Sequence, residues 1–216
     1  MKFALSLEAG RPFFMPAIAT KAIVLSSLRY GESSLIVRLY TEASGLQSFM
    51  LKGILGRRRG AMSAGLFQPL TQLEVVAVPS RSGKLGYLRE AGIGEPYTTV
   101  HSEVRKSTIA MFLSEVLSQS IQEESPNLPL YKYMQHSLQW LDHHDRIANF
   151  HIYFMLGLSR YLGFYPDMEN REAPYFDLQE GAFTPDSALN PSISGENLLC
   201  FKSFLGIKFN EIDRIR

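Results

Sequence analysis

The residue types best able to do chemistry stand together in Lys52-Gly53-Ile54-Leu55-Gly56-Arg57-Arg58-Arg59-Gly60. Three consecutive arginines follow a lysine and are bounded by glycines. Guanidinium groups match phosphate oxygens two at a time, and glycine lets the main chain come close to a ligand. The chemistry this predicts is the holding of a phosphodiester backbone, not the making or breaking of bonds. Arg38 lies on a neighbouring strand pattern, and Arg81, Lys84 and Arg89 follow further on; with Lys52 they widen the cationic patch. Tyr30, Tyr40, Phe49 and Tyr87 are interleaved with these cations and offer ring faces to unpaired bases. The competing reading of the arginines is a solvated loop without a ligand. For the rings it is packing in the core or at its rim.

Other constellations carry less. His143-His144-Asp145, with His136 and His151 nearby, invites a metal. Adjacent residues on a helix point about 100° apart, however, so His143 and His144 do not converge, and the stretch reads as a polar helix connection. Glu123-Glu124 falls at a helix end and reads as solvated. Cys200, between Leu199 and Phe201, reads as a packing residue. No phosphate-cradling glycine motif and no nucleophile elbow occurs. The expectation is a protein that binds and does not catalyse.

These residues need elements to position them. Apolar alternation predicts strands over 20–29, 34–40, 46–51, 69–78 and 85–91, with Leu35, Val37 and Leu39 on one face of the second. Tyr30-Gly31-Glu32-Ser33 and Thr41 to Gly45 read as turns. Two short turns and one long break do not suit alternating strand–helix units. Five short strands in about 80 residues suit a small OB-type β-barrel. After Pro96 the apolar period becomes helical: Ile109, Phe112, Leu113, Val116, Leu117 and Ile121, then Leu130 to Leu141 with Pro129 in the first turn, then Ile147 to Leu162 stopping at Gly163. A polar, aromatic segment follows over 167–192. Ser194 then reads as the N-cap of a helix through Phe204, with Gly206 as its stop, and Asn210 as the cap of one more. The expected fold class is α+β: an N-terminal five-stranded OB-type barrel over 15–95 and an α-helical domain over 96–216. Residues 1–14 are expected to be a disordered lead-in, with Met15 an alternative start and the last helix cut short at Arg216.

Composition bounds the rest. A 45% hydrophobic chain of 216 residues, 20% charged, has enough apolar side chains for packed cores and argues against wholesale disorder. One cysteine allows no internal disulfide and points to a reducing compartment. The apolar runs are too short for a membrane span, and Glu8 and Arg11 interrupt the opening residues too early for a secretory signal. The net charge of +1 conceals an asymmetry. Through Glu95 there are 12 Lys and Arg against 6 Asp and Glu, a net of +6; from Pro96 onward there are 10 against 15, a net of −5. Affinity for polyanions follows local charge, so the first half is expected to bind them.

The run TKAIVLSSLRYGESSLIVRLYTEASGLQSFMLKGILGRR resembles the opening of the bacterial RecO family of DNA repair proteins. The resemblance lies in Tyr30-Gly31-Glu32-Ser33, in Thr41 with Gly45, in Lys52-Gly53 before a basic loop, and in Gln68-Pro69-Leu70. In the second half it lies in Leu156-Gly157-Leu158 through Leu162-Gly163-Phe164-Tyr165-Pro166, and in Phe176 to Phe183 with Gly181. It covers most of residues 20–204. It implies a bacterial, cytoplasmic, nucleoid-associated recombination mediator with no membrane association. Such a protein binds single- and double-stranded DNA, anneals complementary strands, works with RecR, and helps load a RecA-type recombinase on DNA coated by single-strand binding protein. The family takes up the acidic, Phe-ending tail of single-strand binding protein in the helical domain; Arg105, Lys106 and Arg160 are the basic residues that resemblance offers here. Many members bind zinc through four cysteines after the Gly-(Tyr/Phe)-x-Pro motif. None occurs over 167–195, so no zinc or other cofactor is expected, and packing of Tyr175, Phe176 and Phe183 is expected in its place.

Two other readings compete. An OB-type RNA-binding protein would use the same basic loop, and a preference for RNA over DNA of one sequence would favour it. A metal-dependent hydrolase would use His136, His143, His144 and Asp145, and would show bound metal and strand cleavage.

Overall fold

The computed structural model describes residues 16–56, 62–80, 84–122, 124–186, 190–207 and 211. Two compact units divide the chain. One comprises the residues through Pro96 together with Leu117–Pro126; the other comprises Tyr97–Val116 and Asn127–Arg216.

The first unit is built on five antiparallel strands, β1 (Ile18–Tyr30), β2 (Ser34–Thr41), β3 (Gly45–Leu51), β4 (Gln72–Val78) and β5 (Tyr87–Glu95), in the order β3-β2-β1-β4-β5. Leu35, Val37 and Leu39 are buried, as their alternation requires, against Ala22, Val24, Phe49, Leu73, Val75 and Leu88. The β2–β3 turn is held by Thr41, whose hydroxyl donates to the Gly45 carbonyl at 3.0 Å and accepts from the Ser44 N–H at 3.0 Å. Gly45 has φ 63°, and a Cβ there would run into the Ser125 carbonyl, so glycine is needed twice over.

Two strands differ from their sequence expectation. β4 starts at Gln72 rather than residue 69, because Leu70 turns the chain at φ 59°. β5 runs to Glu95, because pairing with β4 overrides the weak strand propensity of Ala91-Gly92-Ile93-Gly94. The outermost strands meet at one parallel bridge, Phe49 to Gly86, with Met50 N–H donating to Gly86 O at 3.0 Å and Gly86 N–H to Ser48 O at 2.9 Å. Among the described residues no continuous ladder closes the sheet into the expected barrel.

The second unit carries helices α1 (Val104–Ser120, its last turn counted with the sheet), α2 (Leu128–His143), α3 (Phe150–Leu162) and α4 (Gly195–Phe204). Asn127 caps α2 by accepting from the Leu130 N–H at 3.0 Å, and Gly163 ends α3 at φ 81°. Leu113, Met134, Leu138, Leu141, Phe150 and Phe154 are fully buried. Ser194 stands at the N-cap of α4, as expected, although its side chain makes no capping bond. The 167–192 segment forms a small sheet that periodicity did not predict, β6 (Tyr175–Asp177), β7 (Ala182–Thr184) and β8 (Ser192–Ser194), in the order β7-β6-β8. Strands of three residues are too short to show a period. The expected lead-in over 1–14 and the helix at Asn210 lie outside the described residues.

A buried polar knot ties the start of this unit to α2. The Asp142 carboxylate accepts from the N–H groups of Thr98 at 2.9 Å, Thr99 at 2.8 Å and Val100 at 3.0 Å, and from the Thr99 hydroxyl at 3.0 Å. Burial alone pushes the Asp142 carboxyl up, but the hydrogen bonds from Thr98, Thr99 and Val100 together hold it below its ordinary value.

Candidate nucleic-acid interface

The sheet unit sorts its charge by face. An open groove of about 850 Å³ runs along the meeting edges of β3 and β5, lined by Lys52, Arg89 and Tyr87 over a floor of Leu51, Gly86 and Leu88. Gly86 lets these edges approach, since a Cβ there would lie 2.6 Å from the Val78 carbonyl and 3.0 Å from the Phe49 ring. Among the described residues, Lys52, Lys84 and Arg89 form no ion pair. A second groove, of about 790 Å³, crosses β1, β4 and β5 and carries Glu42, Glu74 and Glu90. Lys21 also lines this groove, and its ammonium is paired with Glu95 at 3.7 Å. The first groove therefore suits a polyanion and the second repels one.

The structure brings the expected cations together in two places. Lys52 and Arg89 share the basic groove. Arg38 and Lys84 share a smaller pocket of about 250 Å³ with Gln47, Gln122 and Glu124. Arg38 is also structural: one guanidinium nitrogen donates to Ser118 O at 2.8 Å and Ser118 Oγ at 3.1 Å, fixing the 117–126 segment to β2. Arg57, Arg58, Arg59 and Arg81 lie outside the described residues. The residues flanking the triple arginine, Ile54 and Met62, line the basic groove, and those flanking Arg81, Ser80 and Lys84, line the smaller pocket.

Of the four aromatic candidates, two are corrected. Tyr40 and Phe49 are 2% and 0% exposed, with rings sunk in the core and no face to offer a base. Alternation hid Tyr40 because β2 buries residues on both faces near its end, and Phe49 lies on β3 opposite the buried Val37. Tyr30 and Tyr87 remain exposed, and of these Tyr87 lines the groove.

The helical unit does not gather its expected basic residues. Lys106 is 1% exposed, and its ammonium donates to Thr99 Oγ1 at 2.7 Å and to the Asp142 carbonyl at 2.8 Å. It belongs to the polar knot and is not available to a partner, which corrects the sequence expectation. Arg105 is exposed on α1, and Arg160 lies elsewhere, in a pocket of about 250 Å³ with Tyr133, Tyr153, Tyr161, Tyr165 and Phe204. The Arg160 guanidinium sits 4.2 Å from the Tyr165 ring centroid and donates to its hydroxyl at 2.9 Å. Tyr133 donates to Phe154 O at 2.8 Å, and Gly157 makes room for it, since a Cβ there would collide with the Tyr133 hydroxyl. Sequence reasoning missed this tyrosine cluster, although Tyr153, Arg160 and Tyr161 lie at helical spacing.

His143 and His144 lie 2.6 and 2.8 Å through Nδ1 from the carbonyls of Gln139 and Trp140, and His144 stacks on Trp140. Among the described residues no group of three or more His, Cys, Asp or Glu is arranged to hold a metal ion. Cys200 is exposed, not packed as its neighbours suggested, because Leu198 and Phe204 supply the buried face of α4. In the small sheet Phe176 meets Phe183 at 4.9 Å and Phe201 at 4.8 Å between ring centroids, over Leu198 and Leu205, while Tyr175 stays half-buried. Asp177 ties the β6–β7 turn by accepting from Gln179 and Glu180 N–H at 2.8 and 3.0 Å, and from Asn190 at 3.0 Å.

Comparisons with known proteins find DNA recombination proteins over both units. The family described as Recombination protein O N terminal matches residues 15–97, and that described as Recombination protein O C terminal matches residues 101–216. The chain is 46% identical over 199 residues to the DNA repair protein RecO of Christiangramia forsetii, spanning 92% of this chain and 83% of that protein. It is 41% identical over 198 residues to the RecO protein of Flavobacterium johnsoniae, with the same coverage. Against the RecO protein of Bacteroides fragilis it is 40% identical over 167 residues, 76% of this chain and 69% of that one. The chain belongs to the RecO family of DNA repair proteins. Among the described residues no helix is long and apolar enough to cross a membrane.

Proposed function

We propose that this protein is a recombination mediator that holds DNA by its phosphates, anneals complementary strands and helps a RecA-type recombinase onto strands coated by single-strand binding protein, without turnover of its own. The observation that carries the reading is the groove in which Lys52 and Arg89 have no acidic partner among the described residues, while Glu42, Glu74 and Glu90 lie in a different groove. Contact to phosphates alone reads no sequence, as annealing of arbitrary strands requires. The Phe49–Gly86 bridge supports an OB-type curl of the sheet, with the groove along its seam. Annealing of two complementary oligonucleotides tests the reading: the protein accelerates it, Lys52→Ala/Arg89→Ala is slower, and equal rates for both would refute it. Competition between DNA and RNA of one sequence tests the alternative, an OB-type RNA-binding protein.

The Arg160 pocket supports the partner reading. A guanidinium beside four tyrosines suits a short acidic peptide ending in an aromatic residue, the chemistry of the single-strand-binding-protein tail. Arg160→Ala is expected to weaken such a labelled peptide about tenfold or more by fluorescence anisotropy, with Arg105→Ala near wild type, since Arg105 is not part of the pocket. RecR is proposed as a partner on the family resemblance alone.

We also propose that this chain uses no zinc. Phe176, Phe183, Phe201, Leu198 and Leu205 occupy the small sheet's core and offer no metal donor, so a tetrahedral thiolate site does not fit. Chelation is expected to leave the thermal midpoint unchanged, whereas Phe183→Ala costs about 3 kcal/mol through the cavity it leaves. A midpoint lowered by chelator would contradict this.

A further inference from the structure

We infer that Tyr87 is the residue that makes the groove select unpaired over paired bases, a specificity that phosphate contact alone does not supply. The inference rests on the groove being the DNA site. Three observations carry it. Tyr87 is 42% exposed and lines the groove with Lys52 and Arg89, so a strand held by those cations passes its ring. Tyr40 and Phe49 are buried, which leaves Tyr87 as the ring that reaches this groove from the sequence candidates. Its position is fixed from the residue before it: Gly86 is locked to β3 by two backbone hydrogen bonds, and Tyr87 itself begins the pairing of β5 with β4 opposite Val78.

Leu85, Tyr87 and Arg89 are exposed and line the groove, Arg89 at a bulge between the residues paired with Ala77 and Val76, while Leu88 is buried. An exposed Leu85 next to the ring extends the apolar surface, and a cation lies beyond it. A base rotated out of a single strand can lie on this surface while its flanking phosphates reach Arg89 and Lys52. A base inside a duplex is stacked on both faces and presents only its edges, so it gains nothing from the ring. Every base has a flat face, so the preference is for strandedness and not for sequence.

The test compares three ligands on the full chain: a deoxythymidine homopolymer, the same length of abasic strand, and a duplex. Stacking of one base on a ring corresponds to roughly tenfold to hundredfold in affinity. Tyr87→Ala is expected to lose that factor on the deoxythymidine strand alone, with the salt slope unchanged, and Tyr87→Phe is expected to bind as wild type. Equal losses by Tyr87→Ala on all three ligands, or no loss on any, would overturn the inference. Lys52→Ala/Arg89→Ala separates the two levels. It lowers the salt slope on all three ligands if the groove is the DNA site, and an unchanged slope would remove the groove reading itself.

Discussion

Replacing Arg57, Arg58 and Arg59 together by alanine is expected to lower the slope of log affinity for single-stranded DNA against log salt by about 2, because each neutralised single-strand phosphate contributes roughly 0.7. The loss then grows about a hundredfold for every tenfold dilution of salt, the largest functional effect expected of any change in this chain. The reason is counterion release: three guanidinium groups stand between glycines a few residues after Lys52, which with Arg89 lines the basic groove. Anisotropy titrations at several salt concentrations read the slope directly. Parallel lines for wild type and variant would mean that these arginines meet no phosphate.

The largest effect on stability is expected at Asp142. Asp142→Ala removes the acceptor for three N–H groups and a hydroxyl at the start of the helical unit, leaving the buried Val100 N–H with no partner. The cost is about 3 kcal/mol, read by urea unfolding. The effect depends on pH. Because the folded carboxyl lies below its ordinary value of 3.8, its stabilisation is complete above about that pH and is lost as pH falls through the folded value. Wild type and Asp142→Asn are therefore expected to differ at neutral pH and to converge in acid. A difference that is constant across that range would mean that the ionised carboxylate is not what holds the knot.

Much of this was legible in the residues. Leu35, Val37 and Leu39 fixed the inward face of β2, and the shift to helical spacing after Pro96 announced α1 to α3. Clustered charge is visible in a linear string; of the cations it picked out, the structure describes Lys52 and Arg89 in one groove and Arg38 and Lys84 in a smaller pocket. What was hidden depended on long-range contact. Nothing local distinguishes Lys106, buried on Thr99 and the Asp142 carbonyl, from exposed Arg105 beside it. Arg38 reads as a phosphate ligand until its bond to Ser118, 80 residues away, is seen. Tyr40 and Tyr87 have equal claims by type, and only burial separates them. The sheet of β6 to β8 has strands too short to carry a period, and its core is set by α4, which follows it in the chain.

Photocrosslinking of an oligodeoxynucleotide bearing 5-iododeoxyuridine, followed by mass spectrometry of the adducts, addresses the siting of DNA most directly. Adducts are expected in the peptides carrying Lys52 and Tyr87 to Arg89. Adducts confined to the Glu74 and Glu90 groove or to the helical unit would contradict the account.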